Sequence, residues 1–203
     1  MPTITEISVQ THNKKRCNVY VDNEFFCGMS IETAVKNRIK VGQEVEIKKL
    51  EQFVLESEQH EALTKATDYI SKSLKTKKQV KDYLLKKGYS EQVVWYCIDK
   101  LKEYSYIDDT EYSRRYIESV SKKQGRRLTE YKLMMKGVRK EDIESAYSDA
   151  QDFSSEGVKL IAKKHLGSKP KTKENLAKTY RYLIGKGFSY DQVSSALADF
   201  QED

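Results

Sequence analysis

Hydrophobic positions along this chain change their period near residue 45. Before it, short runs of β-branched and aromatic residues dominate. RCNVYVDNEFFCGMS (16–30) sets such residues on both sides of Asp22-Asn23, a turn-prone pair, and predicts a hairpin of 16–21 with 24–29. ITEISVQ (4–10) alternates loosely and reads as a further strand. Ser30 is placed to cap a short helix, IETAVKNR, ending near Lys40. VGQEVEIKKL then supplies either a turn and a strand or the start of another helix. From Val45 or Leu50 onward the spacing becomes three and four: Leu63, Ala66, Ile70 and Leu74 predict an amphipathic helix over about 62–74.

The helical part repeats itself. LLKKGYSEQVV (84–94) returns as LMMKGVRKEDI from Leu133 and as LIGKGFSYDQV from Leu183, so that Gly88, Gly137 and Gly187 are 49 and 50 residues apart. Four residues before each glycine stands Leu84, Leu133 or Leu183, and directly before it Lys87, Lys136 or Lys186. An apolar Tyr89, Val138 or Phe188 follows. Val94, Ile143 or Val193 comes six later, and a small Cys97, Ala146 or Ala196 nine later. Glycine after a helix takes the left-handed conformation that ends it, the next apolar residue folds back, and lysine suits the negative end of the dipole. The glycines are therefore read as helix ends and nothing more. Ser90 and Ser189 can cap the following helices, and Thr76 with Gln79 and Ser189 with Gln192 form capping boxes. Arg139 fills the middle cap slot, so that cap must come from elsewhere. Further helices upstream, at about 110–123 (Asp109 as cap; Tyr112, Tyr116, Ile117 and Val120 on one face) and about 156–166 (Val158, Ile161, Ala162, Leu166), complete three-helix units.

The expected fold is mainly α: tandem three-helix repeats in a curved elongated array, preceded by a small β-rich N-terminal module. The boundaries drawn are 1–50 for that module, which is small for an autonomous core, then 51–107, 108–153 and 154–203. Only Pro2 and Pro170 interrupt helix formation.

Charge sharpens this picture. The net +6 is uneven: residues 1–60 hold 8 Lys+Arg against 9 Asp+Glu, and residues 61–203 hold 29 against 22. An excess of this kind favours polyanions. The doublets Lys77-Lys78, Lys86-Lys87, Arg114-Arg115, Lys122-Lys123, Arg126-Arg127 and Arg139-Lys140 are the candidate contact residues, with 114–127 foremost. The second repeat nevertheless balances 10 basic against 10 acidic residues, so any single doublet reads as part of a solvated face. Arg115 and Lys122, seven apart, are expected on one helix face with Glu118 between them.

Chemistry is sparse. His12, His60 and His165 share no motif, and Cys17, Cys27 and Cys97 form no CxxC pair, so neither a metal site, a triad nor a cofactor is expected. Cys17 and Cys27 could face each other across the hairpin, but cytosolic thiols stay reduced. Asp108-Asp109 reads as a helix start rather than a carboxylate pair for catalysis. KKGYSE and GKGF lack the phosphate-loop spacing. Tyr83, Tyr89, Tyr112, Tyr116 and Tyr182 occupy apolar repeat slots and read as core. No run of about 18 apolar residues occurs and the start lacks a secretory profile, so a cytoplasmic protein is expected.

YIDDTEYSRRYI (106–117) followed by GRRLTEYKLMMKGV (125–138) resembles the RecX family of recombination regulators. The family's middle repeat has an acidic pair, an aromatic with a small residue, Gly, a gap, and Leu-x-x-Lys-Gly-apolar. Those slots hold Asp108, Asp109, Tyr112, Ser113, Gly125, Leu133, Lys136, Gly137 and Val138. The resemblance spans about 60–203, and the β-rich beginning is similar to that of Gram-positive members. Ser113 departs from a common alanine. Ser73, Lys75, Thr76, Lys77, Lys78 and Gln79 replace an Arg/Ser/Glu cluster of the first repeat. The resemblance implies a non-enzymatic, monomeric modulator in recombination, repair and the SOS response, without cofactor or membrane. It would bind RecA and the RecA–DNA filament along its groove, inhibit ATPase and strand exchange, and contact DNA. The alternative reading is a stand-alone DNA-binding helical protein, since helix–Gly-turn–helix resembles a helix-turn-helix.

Overall fold

The computed structural model describes residues 1–152, 154–198 and 200. Phe153, which closes the second expected domain, and Asp199 with 201–203, in the third, lie outside the described residues. The chain divides into two units, Met1–Ser73 with Val80–Tyr104, and Leu74–Gln79 with the described residues from Ser105 onward.

In the first unit, β1 (Ile4–Val9), β2 (Arg16–Val21) and β3 (Glu24–Ser30) form an antiparallel sheet in that order. Val21 pairs with Glu24, leaving Asp22 and Asn23 as the turn at φ 51° and 70°. Two consecutive left-handed residues give the twist a two-residue hairpin needs, and Asp and Asn tolerate that conformation. The predicted hairpin is present. Cys17 lies opposite Met29 and Cys27 opposite Val19, so the two thiols are diagonal neighbours, free and buried. Burial pushes the Cys27 thiol up to about 11.

Helix α1 (Ile31–Lys36) is capped as expected, the Ser30 hydroxyl accepting from Thr33 N at 3.0 Å. It is shorter than the sequence suggests. Arg38 takes φ 53° and Ile39 N donates to Ala34 O at 2.9 Å, closing a left-handed ending with arginine in the place glycine usually fills.

One helix, α2 (Ile47–Ser71), replaces the helix expected at 62–74. Its Leu50, Phe53 and Val54 complete the core under the sheet with Ile4, Val19 and Met29. Its later half packs on α4, where the Cys97 thiol meets Gln59 O at 3.8 Å. Leu74 falls outside the helix and is exposed, because the Thr76–Gln79 box starts the next helix at Lys77 and leaves 72–76 to turn the chain. The sheet and α2 thus share one core, which answers the smallness of the β-rich module. A polar chain reinforces the join. Arg16 pairs with Glu61, Glu61 accepts from Lys65 Nζ at 2.8 Å, and Lys65 Nζ meets the Tyr89 hydroxyl at 2.8 Å.

Three three-helix modules follow from the repeat: α2 with α3 (Lys77–Lys86) and α4 (Glu91–Glu103); α5 (Asp109–Val120), α6 (Arg126–Met135) and α7 (Lys140–Asp149); α8 (Ser154–Leu166), α9 (Lys173–Gly185) and α10 (Tyr190–Ala198). The repeated residues make the same corner each time. Gly88, Gly137 and Gly187 have φ 88°, 82° and 85°. The next residue's N–H returns to the leucine carbonyl: Tyr89 to Leu84 at 3.3 Å, Val138 to Leu133 at 3.2 Å, Phe188 to Leu183 at 3.4 Å. Those leucines are fully buried, as are Cys97 and Ala196, with Ala146 nearly so. Ser90 caps α4, and Ser189 with Gln192 forms a reciprocal box at 3.0 and 3.2 Å. Helix α7 has no side-chain cap; Arg139 instead reaches forward to Asp142 at 3.0 Å.

The second unit shows that two of the glycines do more than end a helix. The start of α6 is seated on the α9–α10 corner: Gly125 N donates to Lys186 O at 3.0 Å and Arg127 N to Gly187 O at 3.2 Å. A Cβ on Gly187 would lie 2.4 Å from Leu128 N, and one on Gly125 would lie 2.2 Å from Gly187 O. The same pairing recurs at Leu74–Gln79, where the Thr76 hydroxyl donates to Lys136 O at 2.7 Å and a Cβ on Gly137 would lie 2.4 Å from Lys78 Cβ. Gly88 has nothing within 4 Å of that position. Asp109, expected to cap α5, does not; Asp108 does, accepting from Thr110 N and Glu111 N at 2.8 and 3.0 Å. Asp109 instead accepts from Lys77 N at 2.8 Å, at the start of α3.

Counting back from the glycine, Thr76, Gly125 and Asn175 occupy one slot. The first two are where their helices begin, but α9 starts a turn earlier, and Asn175 N is taken by the Thr172 hydroxyl at 3.3 Å.

Candidate interaction surface

The basic doublets do not form one patch of free charge. On α5, Arg114 is held by Glu111 at 2.8 Å and Glu118 at 2.9 Å, and Arg115 by Glu111 at 2.5 Å. The two guanidinium groups draw the Glu111 carboxyl down to about 2. Glu118 therefore serves Arg114, not a face shared by Arg115 and Lys122. Lys122 and Lys123 lie beyond the end of α5, and Lys122 reaches Glu156 at 3.6 Å. Arg126 bridges Glu130 at 2.5 Å and Glu144 at 2.6 Å and lies 4.3 Å above the Tyr147 ring. It ties α6 to α7 within the middle module.

Arg127 points elsewhere. It is exposed, has no carboxylate partner among the described residues, and lines a groove of about 480 Å³ with Asp152, Ser189, Tyr190 and Gln192. Lys123, Lys140 and Lys86 are likewise exposed without such a partner among the described residues. Lys87 lies 5.6 Å from the Tyr83 ring, and Arg139 is held by Asp142. Lys77 and Lys78 open α3, where Lys77 N is used by Asp109 and the Lys78 stem packs on Gly137.

The tyrosines divide in the same way. Tyr83 stacks on Tyr69 at 4.2 Å, Tyr112 runs parallel to Tyr116 at 6.3 Å, and Tyr89 closes the Lys65 chain. Tyr182, expected in the core, is 40% exposed and stacks on His165 at 4.3 Å. Its slot faces outward because Leu183 beside it takes the core position. Sequence reasoning named Arg127 but passed over the apolar residues on the exposed face of α6: Tyr131 is 57%, Met134 50% and Met135 64% exposed. A spacing of three and four signals an apolar stripe but does not say whether the stripe is covered.

Among the described residues no cluster of His, Cys, Asp and Glu could hold a metal ion, and no helix is long and apolar enough to cross a membrane.

Comparison with known proteins identifies what kind of chain this is. A model of the regulatory protein RecX N-terminal domain matches residues 2–46, and models of the first, second and third RecX three-helix domains match 62–101, 108–146 and 158–197. The chain is 37% identical to Regulatory protein RecX of Clostridium tetani over 96% of its own length and 92% of that protein's. It is 35% identical to Regulatory protein RecX of Clostridium botulinum (strain Eklund 17B / Type B), over 98% and 96%. A crystal structure of regulatory protein RecX shares the fold with a TM-score of 0.71, 23% identity and full coverage of both chains. A crystal structure of RecX from Lactobacillus salivarius, 24% identical, has a TM-score of 0.64 over 70% of this chain and 96% of that one. With four domain models in order and relatives matched from end to end, the chain belongs to the RecX family.

Proposed function

We propose that this chain is a non-enzymatic regulator that binds the RecA recombinase and its nucleoprotein filament in the cytoplasm, as a monomer, and lowers ATP hydrolysis and strand exchange. The observation that carries the reading is identity above a third, over nearly the whole chain, to proteins named for regulation. The architecture fits such a role, since small modules present much surface and spend little of it on a deep cavity. Exposed Lys86, Lys123, Arg127 and Lys140 give a diffuse positive field toward DNA, and Lys77, Lys78, Lys87 and Lys122 add to it. The arginines Arg114, Arg115, Arg126 and Arg139 are spent largely on their own carboxylates.

Stand-alone, sequence-reading DNA binding finds less support. The last helix of each module is the one that would enter a groove, and α10 carries Asp191 and no cation, while α7 carries Lys140 against Glu141, Asp142, Glu144 and Asp149. The test is RecA ATP hydrolysis on single-stranded DNA with increasing amounts of this chain. The rate is expected to fall at or below equimolar ratio. An unchanged rate above equimolar refutes the reading.

A further inference from the structure

The three modules are an internal control on one another. Whatever the fold demands recurs in all three, as the buried leucine, the left-handed glycine and the small ninth residue do. A solvent-facing residue that only one module has is therefore not required by the fold. Counting back from the glycine, the outward face of α6 holds Arg127, Tyr131, Met134 and Met135. The same slots hold Lys78, Asp82, Leu85 and Lys86 on α3, and Ala177, Arg181, Ile184 and Gly185 on α9. The Met134 slot is apolar in all three modules, but where the middle module has Tyr131 and Met135 the others have Asp82 and Lys86, or Arg181 and Gly185.

These side chains are open to solvent, and spacings of four, three and four from Arg127 through Tyr131 to Met134 and Met135 put them on one stripe. Leaving so much apolar surface in water costs solubility without helping the fold. Tyrosine, arginine and methionine are also the types enriched in the buried centres of protein interfaces, where methionine adapts to irregular partners. The charge is equally selective. Arg126 is neutralised by Glu130 and Glu144, and Arg127 is left as the one cation of the stripe without a carboxylate partner among the described residues.

We propose that this face of α6 is the protein-docking site of the chain, and that it takes an apolar pocket bordered by a carboxylate on the partner's surface. The carboxylate pairs with Arg127, and Tyr131, Met134 and Met135 fill the pocket. This rests on the reading that the partner is the recombinase. A nucleic acid is a poor match, since phosphate affinity grows with the number of unneutralised cations and this stripe offers one beside two thioethers.

The test compares the full chain with Tyr131→Ser, Met135→Gln and, as a control in an equivalent slot, Leu85→Ser. Each is titrated against RecA assembled on single-stranded DNA and, separately, against that DNA alone. Tyr131→Ser and Met135→Gln are expected to weaken recombinase binding about tenfold or more, with DNA binding and the control unchanged. If Tyr131→Ser shifts the melting temperature, Met135→Gln, on a side chain 64% exposed, carries the test alone. Unchanged recombinase binding by both variants overturns the assignment and leaves the functional reading standing. Loss of binding to DNA alone makes the stripe a nucleic-acid surface and also overturns it. A wild-type chain that does not bind the recombinase overturns the functional reading, and this assignment with it.

Discussion

The repeated glycines admit a test in which the chain supplies its own reference. Alanine at Gly88, Gly137 or Gly187 meets the same backbone, with φ between 82° and 88°. The left-handed conformation alone costs an alanine about 1 to 2 kcal/mol. At Gly88 the added methyl meets nothing within 4 Å, so that cost is the whole effect. At Gly187 it would lie 2.4 Å from Leu128 N and 2.5 Å from Leu128 Cβ, and the start of α6 must move away. Moving it breaks Gly125 N to Lys186 O and Arg127 N to Gly187 O. Two backbone hydrogen bonds add about 1 kcal/mol each, and the lost packing brings Gly187→Ala to roughly 3 to 5 kcal/mol. Gly137→Ala falls between, because part of what it meets is the flexible Lys78 stem.

Urea denaturation separates the two sites. The single tryptophan, Trp95, lies in the first unit, so its fluorescence follows Gly88→Ala, while circular dichroism follows both units. Equal losses at Gly88 and Gly187 would refute the claim that the second corner is a seat for α6.

Two further substitutions test particular contacts. Asp109→Ala removes the acceptor of Lys77 N and is expected to destabilise the second unit by about 1 kcal/mol, whereas Asp109→Asn keeps an acceptor. Burial raises the Asp109 carboxyl above its ordinary 3.8, partly offset by the Lys77 N–H, so its protonated form is favoured in the folded state. Its contribution is present in full at low pH and lost as pH rises through the shifted value, so Asp109→Asn should equal or exceed wild type in neutral urea titrations and gain least in acid. Arg126→Glu sets a carboxylate against Glu130 and Glu144 and should lower the melting temperature, while Arg127→Glu should leave it within a degree or two. A similar drop for both would mean that Arg127 has a structural partner.

Local rules made the corners legible. A leucine, a lysine, a glycine and an apolar residue at fixed offsets specify one hydrogen-bond pattern wherever they occur, and all three corners formed as expected. The Asp22-Asn23 hairpin and the two capping boxes were readable for the same reason. What escaped was set by distant partners. That Asp108 and not Asp109 caps α5 depends on Lys77, 32 residues away, which claims Asp109. Leu74 has the right spacing for a helix face but falls where the chain must turn. The candidate surface was hardest to read, since a basic doublet looks the same in the sequence whether its charge is spent, as at Arg126, or left open, as at Arg127.

The early start of α9 gives the chain a direction. Gly125 N donates outward to the next corner, whereas Asn175 N, in the corresponding slot, is already satisfied by its own Thr172. A duplicate of the middle module grafted between α7 and α8 would bring both a receiving corner and an open helix start, and could be threaded into the series. A duplicate appended after α10 would find that last donor closed and would need a side-chain donor in its place, as at Thr76, whose N–H is taken by Gln79 while its hydroxyl reaches Lys136 O.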